Sequence, residues 1–255
     1  MSEPLLRLSG LSRRFGGLSA LEAVDFAIAP GEILGLIGPN GAGKTVCFHL
    51  ISGVLKPTAG EIHLEGRRID GLPPHRIARL GIGRTFQIVK PFAQLSALEN
   101  VIASQGIDRY GSLARIWSFW TNARERERAR RRLADAGLAE LAPRPAGVLP
   151  LGHLRRLEIA RALAAARKLL LLDESFSGLR HEEIVPLETL VRRIRTAGVS
   201  VLLIEHNMRV AMGLCDRLVV LDHGRKIAEG APAEVRRNPA VIQAYLGRRH
   251  AADAA

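Results

Sequence analysis

The stretch GPNGAGKT (Gly38–Thr45) constrains this chain more than any other. It joins EILGLIG (Glu32–Gly38), an apolar run of strand length, to KTVCFHLIS (Lys44–Ser52), where the apolar spacing is helical. A glycine-rich turn between a buried strand and a helix start can aim its backbone N–H groups inward around a phosphate. In this pattern of G-x-x-x-x-G-K-[ST], Lys44 is placed to reach the outer phosphates and the Thr45 hydroxyl to ligate Mg2+. Gly38, Pro39, Asn40, Gly41, Ala42, Gly43 and Val46 form the rest of the loop surface that a nucleotide would touch.

The remaining chain is organised around that turn. Strand-like runs LLRLS (Leu5–Ser9), AVDFAI (Ala23–Ile28) and EIHLEG (Glu61–Gly66), separated by Gly and Pro turns, predict an antiparallel layer leaning on the strand that feeds the loop. From Ser96 to Arg167 the pattern turns helical, opening on a Ser96 cap with Glu99 three residues on. Alternation then returns in KLLLLDE, HEEIVPLETLVRRIR, VSVLLIEH and DRLVVLD, which predicts a parallel sheet with crossover helices. The expected fold is α/β: a mostly parallel core sheet, an N-terminal antiparallel β layer and a helical subdomain at about 96–167. It forms a single domain over 5–247, with 248–255 as a flexible tail.

Composition narrows the setting. No stretch of 18 or more uncharged apolar residues occurs, and MSEPLLRLSG lacks the layout of a signal peptide, so the expected chain acts in the cytoplasm without spanning a membrane. Cys47 and Cys215 sit in apolar patterns far apart, with no ligand spacing around them, and read as reduced core residues. A net charge of +12 asks for an acidic partner, nucleic acid or an anionic membrane leaflet. Much of the excess lies in NARERERARRR (Asn122–Arg132), where helical spacing also allows internal Glu–Arg pairs. Aromatics for stacking on bases make up only 4% of residues and are not interleaved with these arginines, which argues against nucleic acid.

In a parallel sheet, ligands gather beyond the carboxyl ends of the strands. Gly38 follows ILGLI, Asp173 and Glu174 follow LLLL, and Glu205 and His206 follow VLLI, so three polar clusters converge on one edge. Asp173 is placed to hold Mg2+ together with Thr45, Glu174 to polarise a water, and His206 to meet the γ-phosphate.

GPNGAGKT, GRTFQ (Gly83–Gln87), LPLGHLRRLEIARAL (Leu149–Leu163), LLLLDE and VLLIEH stand in the order and spacing of an ABC-type ATPase, and the chain resembles that family from Leu5 to Gly247. The ending, MGLCDRLVVLDHGRKIAEG then NPAVIQAYLG, resembles the larger ATP-binding subunit of branched-chain amino-acid importers, whose helical insertion would correspond to Gln105–Arg132. The resemblance implies that Phe15 stacks on adenine, that Gln87 reaches Mg2+ and the attacking water, and that Gly152 caps the γ-phosphate held by a partner subunit. It further implies ATP and Mg2+ as ligands, a second ATP-binding subunit expected to be a different chain, two membrane permease subunits and, indirectly, a solute-binding protein. The place of work would be the cytoplasmic face of the membrane. An ATPase of the repair or translation-factor kind and a subunit that binds ATP without hydrolysing it are the alternatives. Departures from the family pattern are Val46 for Ser or Thr, Pro150, His153 and Leu154 in the signature, Ser175 after Glu174, and Arg180 at the following turn. They leave this chain's own phosphate loop intact and put its service to the partner's ATP in doubt.

Overall fold

The computed structural model describes residues 3–85, 90–105 and 122–252, the last seven by backbone only. The chain opens with a long hairpin, β1 (Leu6–Phe15) and β2 (Leu18–Ile28), and then enters the core as β3 (Ile33–Ile37). The phosphate-loop segment leads into helix α1 (Lys44–Ile51). Strands β4 (Ala59–Leu64) and β5 (Arg67–Arg68) return to the hairpin and complete an antiparallel sheet in the order β2-β1-β4-β5. Helix α2 (Pro74–Arg79) and strand β6 (Ile82–Arg84) follow.

Helices α3 (Ala97–Gln105), α4 (Ala123–Asp135) and α5 (Leu151–Ala162) occupy the middle of the chain. The start of α3 is fixed as the sequence predicts: Ser96 Oγ accepts the Glu99 N–H at 3.2 Å, and the Glu99 carboxylate accepts the Ser96 N–H at 2.8 Å. On α4 the arginines are partly matched from within, Arg128 by Glu125 at 3.2 Å and Arg131 by Glu127 at 3.1 Å, so part of the basic run is a self-paired helix face.

Strand β7 (Leu169–Asp173), helix α6 (His181–Thr196), strand β8 (Ser200–Ile204), helix α7 (Met208–Leu214) and strand β9 (Arg217–Asp222) then alternate. Strand β10 (Arg225–Gly230) folds back on β9, and helices α8 (Pro232–Arg237) and α9 (Pro239–Ala252) end the described chain, α9 running past Gly247. The second sheet has the order β10-β9-β3-β8-β7-β6, with β9, β3, β8, β7 and β6 parallel.

The near-continuous apolar runs of these strands are explained by cover on both faces. Ile33, Leu170, Leu172, Val201, Leu203 and Val220 pack into a core with the helices of the middle and end of the chain. Their neighbours Leu34, Leu169, Leu171, Leu202, Ile204 and Val219 face α1 and the antiparallel sheet. With both faces closed, only the strand ends are free to present polar groups. Cys47 and Cys215 are unpaired and buried, and burial pushes each thiol up to about 12, as inert core residues require.

Candidate active site

Across the carboxyl edge of the core sheet, the strand order places the ends side by side: His223 after β9, the loop after β3, Glu205 and His206 after β8, Asp173 and Glu174 at β7, and Arg84 with Thr85 at β6. The edge opens on a cavity of about 820 Å3 lined by residues 40–46, Glu174, His206, His223 and the start of β2.

The loop has a shape that only glycine permits at two points. Gly38 and Gly43 have φ of 149° and 100°, and a Cβ on Gly38 would lie 2.1 Å from the Leu221 carbonyl oxygen, one on Gly43 2.6 Å from that of Ala20. The loop is thereby pressed between β2 and the β9 end, and together with the start of α1 it lines the cavity. Lys44 is buried, and its ammonium donates to the carbonyls of Gly38 at 2.7 Å and Pro39 at 2.9 Å, which holds the charge inside the loop curve. Val46 lines the same wall and leans on the apolar core below.

Glu174 has φ of 48°, a left-handed conformation costly for a side chain with a Cβ, and its N–H donates to Ile204 O at 3.0 Å. This turn brings its carboxylate within 2.7 Å of His206 Nε2, so the two residues that end β7 and β8 meet over the cavity. Behind them, burial pushes the Glu205 carboxyl up to about 7, against the opposing bond from Phe176 N–H at 2.9 Å and with the Glu174 charge adding to the rise.

Asp173 is almost fully buried and is paired with the Arg84 guanidinium at 3.0 Å, while its N–H donates to Thr85 Oγ1 at 3.2 Å. Breaking a pair this buried costs about 3–5 kcal/mol. Thr45 and Asp173 both line a second cleft of about 800 Å3 that adjoins the loop. One hydroxyl and one carboxylate are the donor set suited to Mg2+, which keeps its waters and takes phosphate oxygens rather than a full protein cage. Among the described residues no group of three or more His, Cys, Asp or Glu side chains could hold a metal. Gln87 lies outside the described residues.

The profile of the family described as "ABC transporter" matches residues 21–177, and that of "Branched-chain amino acid ATP-binding cassette transporter" matches residues 225–251. The chain is 42% identical over 253 residues to the high-affinity branched-chain amino acid transport ATP-binding protein BraF of Pseudomonas aeruginosa, covering 97% of this chain and 99% of that protein. LivG of Escherichia coli, of the same description, matches with equal identity and coverage. The chain belongs to the ABC transporter ATP-binding family. The lipopolysaccharide export system ATP-binding protein LptB of Acidithiobacillus ferridurans is 36% identical, over 97% of this chain and 98% of that one. Among solved structures, the ADP conformation of MJ1267, an ATP-binding cassette of an ABC transporter, superposes with a TM-score of 0.87 at 29% identity, covering 96% of this chain and 100% of that chain. The dimeric ATP-binding cassette MJ0796 bound to ADP and Pi gives 0.75 at 25% identity, covering 89% and 98%. The present chain is therefore a nucleotide-binding ABC ATPase.

Two residues singled out in the sequence stand away from the ABC ATPase's own cavity wall. Phe15 ends β1 opposite Leu18, which lines the cavity, and its exposed ring lies 4.6 Å from the Arg13 guanidinium. Gly152 is the second residue of α5, behind Pro150, which offers no side-chain cap, and its N–H donates instead to Glu183 Oε1 at 3.2 Å. His153 follows, with its pKa pushed down by burial and by Arg156. Of the other departures, Ser175 is buried with its hydroxyl 3.2 Å from that of Thr85, and the Arg180 N–H donates to Glu183 Oε2 at 2.9 Å to start α6.

Sequence reasoning missed His223 and Arg84. His223 stands in the β9–β10 turn at φ of 45°, its Nδ1 2.9 Å from Asp222 Oδ1. The only signal was a polar pair ending a fourth apolar strand. Arg84 lay within the GRTFQ motif, but nothing in the sequence says which carboxylate it meets.

Proposed function

We propose that this ABC ATPase energises an importer for branched-chain or related amino acids, working from the cytoplasmic face of the membrane through separate permease subunits. The observation that carries the reading is the meeting of the loop at residues 40–46, Glu174 and His206 on one cavity at the carboxyl edge of the sheet. The solute is taken from the transport activity that the names of BraF and LivG describe and from the match over residues 225–251. No helix among the described residues is long and apolar enough to cross a membrane, and in this reading the path for the solute belongs to other chains.

In this reading Lys44 and the N–H groups of Gly38, Asn40, Gly41, Ala42, Gly43 and Val46 cradle the phosphates, Pro39, which has no N–H to give, shapes the loop, and Phe15 stacks on the adenine. Thr45, Asp173 and Gln87 hold Mg2+, which when bound offsets the negative charge of the phosphate oxygens. Glu174 accepts a proton from the attacking water as the bond to the γ-phosphate breaks, and His206 steadies the Glu174 carboxylate and the departing phosphate oxygens. Gly152, which does not line this cavity, serves the ATP of a second ATP-binding subunit, which is a different chain. A solute-binding protein engages the permeases and not this chain.

The test is to purify the chain with its permease subunits and partner ATPase, reconstitute them in vesicles, and measure phosphate release with the solute-binding protein present. Leucine, isoleucine or valine should stimulate turnover and accumulate in the vesicles. Stimulation by an amide or urea and not by these amino acids would refute the solute assignment; no turnover would refute hydrolysis.

A further inference from the structure

We propose that Arg84 is the built-in counter-ion of Asp173 and that it sets how much Mg2+ the site requires. The proposal rests on the reading of Asp173 as a magnesium-holding residue. Arg84 is the last residue of the edge strand β6, and in register it stands beside Leu171, two residues before Asp173 on β7. From there its guanidinium reaches forward along the neighbouring strand, Nη2 to Asp173 Oδ2 at 3.0 Å. Its Nη1 donates to Ser52 Oγ at 2.9 Å at the end of α1, and its carbon centre lies 5.8 Å from the centroid of the Phe48 ring on the same helix. Both members of the pair are nearly buried, with 10% and 3% of their side chains exposed. A single side chain thus ties together the carboxylate, the far end of the helix that begins at Lys44, and the cleft that Thr45 and Asp173 share.

An arginine is charged at every accessible pH, so its field at Asp173 is permanent. A divalent cation approaching Thr45 and Asp173 meets a carboxylate whose charge is already offset, and it is also repelled by the guanidinium itself. Affinity for the cation is lowered. The return is that the carboxylate never stands unpaired in a dry site when nucleotide and cation leave, a strongly unfavourable situation for a buried charge. Arg84 is a positioning residue that exchanges cation affinity for easy release.

The test uses the full chain, a fluorescent mant-ATP probe and a titration with MgCl2, read as the Mg2+ concentration at half-maximal binding. Arg84→Gln should shift the half-point about tenfold lower, because the competing charge is gone, and should lower the melting temperature without nucleotide. Arg84→Lys keeps the charge and should stay within about twofold of the wild-type half-point, although it loses the fork that bridges Asp173 to Ser52. Arg84→Met, which preserves packing on Phe48, replaces the glutamine variant should that one not fold. A merely structural arginine would lower the melting temperature in all three and leave the half-point in place, and that result, or a shift to higher Mg2+, overturns the proposal. Asp173→Asn separates the two layers of the argument. If it leaves the magnesium half-point at the wild-type value, the assignment of Asp173 fails and the proposal with it; if it shifts the half-point while Arg84→Gln does not, only the role of Arg84 fails.

Discussion

Two helix starts in this molecule, that of α1 behind the phosphate loop and that of α5 behind the signature, have the same backbone equipment and opposite surroundings. At α1 the preceding residue is Gly43, the neighbouring charge is the Lys44 ammonium, and the first turn opens on the cavity of about 820 Å3. At α5 the preceding residue is Pro150, and the Gly152 N–H is already taken by the Glu183 carboxylate. The first is a positive nest that attracts phosphate; the second carries a negative charge of its own. The difference follows from topology. Strand β3 delivers α1 to the carboxyl edge, where four other parallel strands also end, whereas α5 lies in the helical segment and packs against α3, α4 and α6. In the proposed reading, a chain built this way holds its nucleotide at the strand edge, and its signature acts on the phosphate of another chain's site.

The largest effect should come from removing the charge at the first helix start. Lys44→Ala should weaken ATP binding at least about a hundredfold, since charge-assisted hydrogen bonds are worth about 1.5–3 kcal/mol each and the lysine makes more than one. Isothermal titration with ATP reads this directly, and undiminished affinity would remove the loop from the site. Glu174→Gln should bind ATP normally and lose nearly all turnover, because the amide can neither accept the water's proton nor hold His206 by charge. Wild-type phosphate release by this variant would show that another group polarises the water.

How much of this contrast could be read beforehand follows the same topological line. The loop at residues 38–45, Asp173, Glu174 and His206 were legible because each directly follows an apolar strand, and parallel strands share an edge by rule. The antiparallel layer and the helical segment were legible from period and turns. What lay beyond reach depended on lateral strand order. The meeting of Arg84 with Asp173 needs β6 beside β7, and the meeting of Gly152 with Glu183 needs α5 against α6; neither adjacency is written in any local pattern. His223 was hidden for a different reason, since a histidine at positive φ in a hairpin turn reads as a turn residue until the turn is seen against the loop.

Damage at the second helix start should be smaller. Gly152→Asp places a further carboxylate beside the phosphate of the partner's ATP, and its Cβ would also stand 2.5 Å from Glu183 Oε1. In a complex with a different partner chain, turnover should fall by less than in Glu174→Gln, because the site built on Lys44, Asp173 and Glu174 continues to work. Glu183→Gln is the control that keeps an acceptor for the Gly152 N–H and removes the charge. Equal loss from Gly152→Asp and Glu174→Gln, or a complex made of two identical copies, would break the asymmetry between the two halves.

A pH effect should arise at the strand edge. Glu205 has its pKa raised by burial from 4.5 to about 7, so the folded protein binds more protons than the unfolded chain between those values. Its stabilising contribution is complete below about 4.5 and is lost as pH rises through about 7. Glu205→Gln keeps an acceptor for the Phe176 N–H and has no proton to lose, so its melting temperature relative to wild type should climb between pH 5 and pH 8. A constant difference across that range would mean that Glu205 remains charged in the fold.

The smallest expected effect concerns the residue that most departs from the family pattern within the loop. Val46→Thr restores a hydroxyl beside the place of the α-phosphate, and one such hydrogen bond is worth about 0.5–1.5 kcal/mol, a few-fold in affinity. Against it stands the contact of Val46 with the apolar core, because exchanging valine for threonine conserves shape but puts a polar group where a methyl had packed. Val46 is only half-buried and faces the cavity, so the hydroxyl has room to turn toward the ligand and the bond should win. ATP should bind a few-fold more tightly, with turnover at saturating ATP unchanged, since the α-phosphate is remote from the bond that breaks. Weaker binding would mean that packing against the core outweighs the hydrogen bond. A change in turnover without a change in affinity would mean that position 46 reaches the reacting phosphate, and the loop would then have to be turned differently over the cavity.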